Sequence, residues 1–185
     1  TIFPHVGDNH IIERNLSALK TLGFQINEDA PKLNLIIPSK VVESAKKIRN
    51  QHLIIGDYCL LHPVSRRASK QWTKKAFVNL VDHYINLGLK VVITSGPEDI
   101  ERNYVKDIAA LTKKDFIDLG GKTSLLELAA IIKDAKFFIG LDSVASHLAA
   151  AVGTSGVTLF GPSNPVNWRP WSDKITVISR DGTED

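Results

Sequence analysis

Residues 137–160 read FFIGLDSVASHLAAAVGTSGVTLF, and this stretch decides the fold. Phe137 to Leu141 is an apolar run of strand length, Asp142 and Ser143 interrupt it, and about Ser143 to Val152 reads as a helix rich in small apolar residues. Gly156 to Phe160 is then a second apolar strand. Short strands without polar alternation are buried on both faces, as in a parallel sheet whose crossover helices cover it on either side.

The same alternation extends upstream. Tyr58 to Leu61 is a first strand, followed by a polar, basic loop through Trp72 and a helix with Phe77, Leu80, Val81, Tyr84 and Ile85 on one face and Gly88 at its end. Val91 to Thr94 is the next strand, and Gly96-Pro97 turns the chain into a helix carrying Ile100, Tyr104, Val105, Ile108 and Leu111. Phe116 to Leu119 and a helix marked by Leu125, Leu128, Ala129 and Ile132 complete the series. Four or five βα repeats predict an α/β fold, a Rossmann-like doubly wound parallel sheet. Residues 1–55 differ: Ile12, Leu16, Leu19 and Leu22 share a helical face ended by Gly23, and Val41, Val42, Ala45 and Ile48 repeat the pattern after Pro38. That segment reads as two helices with no βαβ unit.

The 185 residues are 43% hydrophobic and 23% charged, which excludes disordered and collagenous classes, and no apolar run approaches the roughly 18 residues of a membrane span. One cysteine, Cys59, excludes an internal disulfide and a Cys-based zinc site and points to a reducing cytosol. The chain opens at Thr1 and contains no methionine, so it reads as an excised piece. Net charge is +3, yet residues 58–81 hold Arg66, Arg67, Lys70, Lys74 and Lys75 and no acid. With +5 here, the rest of the chain carries −2. A local cationic segment on a near-neutral protein suits a small anionic ligand better than a nucleic acid.

Several motifs are absent. His62, Pro63, Val64, Ser65 and Arg66 follow the first strand without a glycine, against a dinucleotide fingerprint. Gly120-Gly121-Lys122-Thr123 resembles the end of a P-loop, but Phe116 stands where its first glycine belongs, so it reads as a turn before a helix. The histidines lack metal-ligand spacing, and neither H-E-x-x-H nor G-x-S-x-G occurs.

Chemistry in such a sheet gathers at the carboxyl ends of the strands. Lys70 there serves as a point charge for a phosphate, with Ser65 as a donor, or else belongs to a solvated basic loop. The helix start at Ser143 suits a pyrophosphate, while Asp142 suits sugar hydroxyls or a helix cap. His147, one turn in, either bonds a phosphate or is structural. Glu98 either accepts from ribose hydroxyls or is an acid complementing the helix dipole.

Taken in order, HPVSRRASKQW (62–72), SGPEDIER (95–102), LGGKTSLLELAAIIKDAKFFIGLDSVASHLAAAVG (119–153) and TLFGPSNPVNWRPW (158–171) resemble glycosyltransferase family 9, the ADP-heptose:lipopolysaccharide heptosyltransferases. The WRPW ending and the SRR…K…W loop look closest to the type that adds the branching heptose of the inner core, and HIIERNLSALKTLGF (10–24) is similar to the family's segment joining two domains. The resemblance implies a GT-B enzyme whose first domain binds the lipid acceptor and supplies an aspartate base, and whose second binds ADP-heptose. This chain would be the C-terminal half, with residues 1–55 as interdomain connector and 56–185 as donor domain, inactive alone. It further implies that Ser65, Arg66, Lys70, Ser143 and His147 surround the pyrophosphate, with Lys70 and Asp142 acting in catalysis. Asp142 would contact the heptose, Glu98 the ribose, and Thr123, Ser124 and Leu125 the adenine. Transfer would invert the anomeric centre and need no metal or cofactor, at the cytoplasmic face of the inner membrane with peripheral contact to it. The partners implied are ADP-heptose and a lipopolysaccharide core acceptor. Where the family often reads D-S/T-G-P-x-H, this chain has Val144 and Ala145, and Ser155 replaces a usual proline. A non-catalytic nucleotide-binding module, or a GT-B transferase using another nucleotide sugar, are the alternative readings.

Overall fold

The computed structural model describes residues 9–26 and 32–179. Its centre is a six-stranded, wholly parallel sheet of β1 (Tyr58–His62), β2 (Lys90–Ile93), β3 (Ile117–Asp118), β4 (Phe137–Leu141), β5 (Gly156–Phe160) and β6 (Ile175–Ser179). The spatial order is β3-β2-β1-β4-β5-β6, so the chain winds outward from β1, returns to lie beside it as β4, and winds outward the other way. Cys59 pairs with Val91 on one side and Phe137 on the other, which fixes β1 at the middle of the sheet.

The helices are α1 (Ile11–Thr21), α2 (Ser39–Gln51), α3 (Lys74–Asn86), α4 (Asp99–Leu111), α5 (Leu125–Lys133), α6 (Val144–Val152) and the short α7 (Pro165–Trp168). Alternate residues of each strand supply two cores. Tyr58, Leu60, Val92 and Phe138 face a cluster completed by α2, α5 and α6, whereas Cys59, Leu61, Val91, Ile93 and Ile139 face one completed by α3 and α4. Burial pushes the Cys59 thiol up to about 12, which leaves it an unreactive core residue.

The first two helices are anchored differently. Ala45 of α2 is buried in the core, Ser44 Oγ donates to Glu127 Oε1 on α5 at 2.5 Å, and Arg49 pairs with Asp134 while lying over the Tyr58 ring. α1 has no buried residue in its span and is tied at its cap: His10 Nε2 meets the Arg169 carbonyl at 2.7 Å, Asn167 Nδ2 donates to the Asn9 carbonyl at 2.9 Å, and the His10 ring packs on Trp171 at 4.5 Å.

The expected strands and helices are present within a residue or two. The additions are β6 and α7. β6 reads Ile-Thr-Val-Ile-Ser at the sheet edge with alternating exposure, and its mixed polarity hid it among loop residues.

Candidate functional site

The winding of the sheet reverses between β1 and β4, and the carboxyl ends of these strands open the crevice where open parallel sheets take ligands. Two loops furnish it. After β1, Pro63, Val64 and Ser65 stay buried, Arg66 and Arg67 are exposed, and one 3-10 turn, Ala68–Lys70, brings the chain back inward. After β4, Asp142 and Ser143 lead into α6. Lys70 Nζ donates to Asp142 Oδ2 across the crevice in an ion pair whose side chains are only 18% and 7% exposed. Gly161, just past β5, packs against the backbone of Ser69 and Lys70, so a third loop closes on the same point. Of the five cations in the 58–81 segment, Lys70 and Lys74 are therefore held in ion pairs, Lys74 with Asp107.

The start of α6 lacks a side-chain cap. Ser143 occupies the N-cap position in an extended conformation, makes no capping bond, and has a buried Oγ without a hydrogen-bond partner. α5 shows the contrast, since Ser124 and Glu127 form a complete capping box there. The Glu127 carboxyl is held below the usual range, first by the bond from Ser44 and then by those from Ser124. An uncapped helix start presents unpaired N–H groups and the positive end of the helix dipole, and an orphaned hydroxyl beside it is costly until something bonds to it. Asp142, engaged by Lys70, is not the cap. His147, one turn into α6, has no hydrogen-bond partner among the described residues; burial lowers its pKa, Asp142 opposes that, and His10 and Lys70 add to it. The arrangement can hold an anion between an ammonium, a helix start and a neutral imidazole.

The two remaining strand ends lie to one side. Glu98 caps α4 by position, is exposed and makes no side-chain cap bond. Glu101, one turn on, is buried, and its carboxylate lies against Gly96 at the end of β2 with no hydrogen-bond partner among the described residues. After β3, Gly121 N bonds the Ser95 carbonyl at 3.1 Å and Lys122 N the Leu119 carbonyl at 3.1 Å, so the Gly-Gly-Lys-Thr run is indeed a turn before a helix. Thr123 is half-buried, and Ser124 and Leu125 are exposed. These residues border the β2 and β3 ends and do not touch the Lys70–Asp142 pair.

His62, the last residue of β1, is fully enclosed beneath this crevice. Its Nδ1 lies 2.9 Å from Thr94 Oγ1, which is itself 3.5 Å from the Leu61 carbonyl oxygen. Burial lowers its pKa to about 4. In the unfolded chain a histidine titrates at about 6.5. As the pH falls from there toward 4, the unfolded chain takes up a proton that the native His62 refuses, so stability is lost over that window and is unaffected above it. Urea unfolding is expected to show the loss between about pH 6.5 and about pH 4, and His62→Gln to reduce it, His147 contributing with the same sign.

The family model of glycosyltransferase family 9 (heptosyltransferase) matches residues 3–184. The chain belongs to glycosyltransferase family 9. It is 36% identical over 170 residues to lipopolysaccharide heptosyltransferase 3 of Escherichia coli strain K12, a match that takes in 90% of this chain and 48% of that protein. Among solved structures, a glycosyl transferase family 9 protein from Veillonella parvula DSM 2008 superimposes with a TM-score of 0.86 at 24% identity, covering 100% of this chain and 53% of that one. The E. coli heptosyltransferase WaaC with ADP gives a TM-score of 0.70 at 21% identity, over 96% of this chain and 52% of that one. The chain thus spans about half the length of the relatives it matches. The likeness to these structures places the sheet in the GT-B fold of the heptosyltransferases.

Of the residues singled out in the sequence of this family 9 chain, the structure brings Lys70, Asp142, Ser143 and His147 together, with Ser65 and Arg66 on the adjoining loop. The sequence reading did not single out His62 and Glu101. Glu101 carried a signal, because it stands three, four and seven residues before Tyr104, Val105 and Ile108 and so shares the buried face of α4. His62 carried none, since a lone histidine at a strand end has no pattern.

Proposed function

We propose that this chain is the donor-binding part of a lipopolysaccharide heptosyltransferase, with residues 56–185 holding ADP-heptose and residues 1–55 leading from an acceptor-binding part. The observation that carries the reading is the Lys70–Asp142 pair at the uncapped start of α6, at the sheet's switch point, in a chain 36% identical to a lipopolysaccharide heptosyltransferase. Unliganded, the ammonium and carboxylate satisfy each other. On donor binding Lys70 exchanges Asp142 for the diphosphate, and Asp142 turns to the hydroxyls of the heptose. Ser65, Arg66, the orphaned Ser143 hydroxyl and His147 complete the diphosphate cradle. Thr123, Ser124 and Leu125 border the adenine.

The reaction follows from this placement. A hydroxyl of the lipopolysaccharide core attacks the anomeric carbon from the face opposite ADP, the bond from that carbon to the diphosphate oxygen breaks, and the configuration inverts. Charge grows on the departing β-phosphate, where Lys70 and the helix start are fixed in advance. The proton of the attacking hydroxyl passes to a carboxylate of the acceptor-binding part, so the present chain binds donor without turning it over. No metal takes part in this scheme. Such an enzyme works at the cytoplasmic face of the inner membrane, in peripheral contact with it; no helix among the described residues is long and apolar enough to cross a membrane.

Glu101, whose carboxylate lies at the end of β2 without a hydrogen-bond partner among the described residues, suits the ribose hydroxyls in preference to the exposed Glu98. Glu101→Gln is expected to weaken ADP binding roughly 10-fold and leave inorganic pyrophosphate unaffected, as read by calorimetry. Catalysis is tested by joining this chain to the acceptor-binding part and following ADP release with a heptose-bearing core acceptor. Release that stops with Lys70→Ala supports the enzyme, whereas binding without release supports a non-catalytic nucleotide-binding module.

A further inference from the structure

A second concavity lies along the C-terminal half of β6, between the start of α1 and the segment formed by α7 and the loop that follows it. It has a volume of about 520 Å³, the size of a pocket for one or two sugar rings. Its walls are fixed by chain segments far apart in sequence: the bonds from His10 to Arg169 and from Asn167 to Asn9 clamp the start of α1 onto the 165–171 segment. The lining combines apolar surface from Trp171, the His10 ring stacked on it and Val177 with three polar groups of different kinds. The Arg169 side chain is exposed and has no hydrogen-bond or ion-pair partner among the described residues. Glu13 uses one carboxylate oxygen to accept from His10 N at 3.0 Å, leaving the other for a ligand, and Ser179 adds a hydroxyl.

We propose that this groove is a binding site for a glycoside carrying a carboxylate or phosphate. The aromatic and aliphatic walls suit the C–H faces of a pyranose. Glu13 and Ser179 suit its hydroxyls, and the Arg169 guanidinium suits the anionic group through paired N–H donors. A bare anion would use Arg169 alone and meet Glu13 as a like charge; a neutral sugar would leave the guanidinium unused. Only the combination satisfies all three groups. Resting on the transferase reading above, the occupant is an anionic sugar of the acceptor, held by the donor-binding half.

The 185-residue chain, labelled with 15N, is titrated with glucose 6-phosphate, methyl β-D-glucuronide, methyl β-D-glucoside and inorganic phosphate, following the Trp171 indole N–H. Both anionic sugars are expected to shift that signal saturably, with the neutral glucoside and the phosphate at least ~10-fold weaker. Arg169→Ala, an exposed substitution that leaves the backbone clamp in place, is expected to weaken the anionic sugars by about the same factor. Lys70→Ala is expected to leave them unchanged. Equal binding of glucoside and anionic sugars, equal binding of phosphate alone, no shift with any compound, or indifference to Arg169→Ala each overturns the proposal. ADP binding, measured in parallel, reports on the donor site separately, so a failure there leaves the result for the groove interpretable.

Discussion

Replacing Lys70 with alanine is expected to weaken ADP binding by roughly 10- to 100-fold, because a charge-assisted bond from a partly buried ammonium to phosphate contributes about 1.5–3 kcal/mol. The same change removes the partner of Asp142, whose side chain is 7% exposed. Breaking a buried pair from one side costs up to about 3–5 kcal/mol, and less where water can enter the crevice from its mouth. The variant is therefore expected to lose both ligand-induced thermal stabilisation and some intrinsic stability, which calorimetric titration and thermal melting measure separately. Lys70→Arg keeps a charge but not its compact shape and is expected to restore stability more fully than affinity. If Lys70→Ala bound ADP as well as the parent chain, the role given to the 58–81 cationic segment would be wrong.

Gly156→Ala is expected to be the most damaging small substitution in the fold. Gly156 opens β5 and pairs with Phe138 of β4 on one side and Ile175 of β6 on the other. A Cβ at this position would run into the Phe138 carbonyl oxygen, with the Phe138 carbonyl carbon and Cβ both at 3.0 Å. The obstructing atoms are backbone in a central strand and cannot rotate away, so the strands must separate or shift register. Overpacking of this kind costs about 1–3 kcal/mol or more, and the expected result is a melting temperature several degrees lower. Binding of ADP to the remaining folded protein should change little, since β4 keeps its partner β1 and the loop at Asp142 lies at the far end of the strand.

The sheet was legible because β1, β2, β4 and β5 are short apolar runs, and their helices carry apolar faces and are punctuated by Gly23, Gly88 or Gly96-Pro97. β6 escaped because an edge strand solvated on one side alternates Ile, Thr, Val, Ile and Ser, which resembles loop sequence. Lys70, Asp142, Ser143 and His147 could be read as neighbours because a doubly wound sheet sends all its strand ends to one side. Their pairing could not be read: spacing along the chain does not tell whether Asp142 caps α6 or meets a lysine 72 residues away. Glu101 was not singled out, although its spacing to Tyr104, Val105 and Ile108 already places it on the buried face of α4.

The most direct test is calorimetric titration of the 185-residue chain with ADP-heptose, alongside ADP and UDP-glucose. One site is expected to bind ADP-heptose and ADP, to weaken roughly 10- to 100-fold with Lys70→Ala, and to reject UDP-glucose. Binding of UDP-glucose in preference to ADP-heptose, or ADP-heptose affinity that is undiminished without Lys70, would contradict the donor-site assignment.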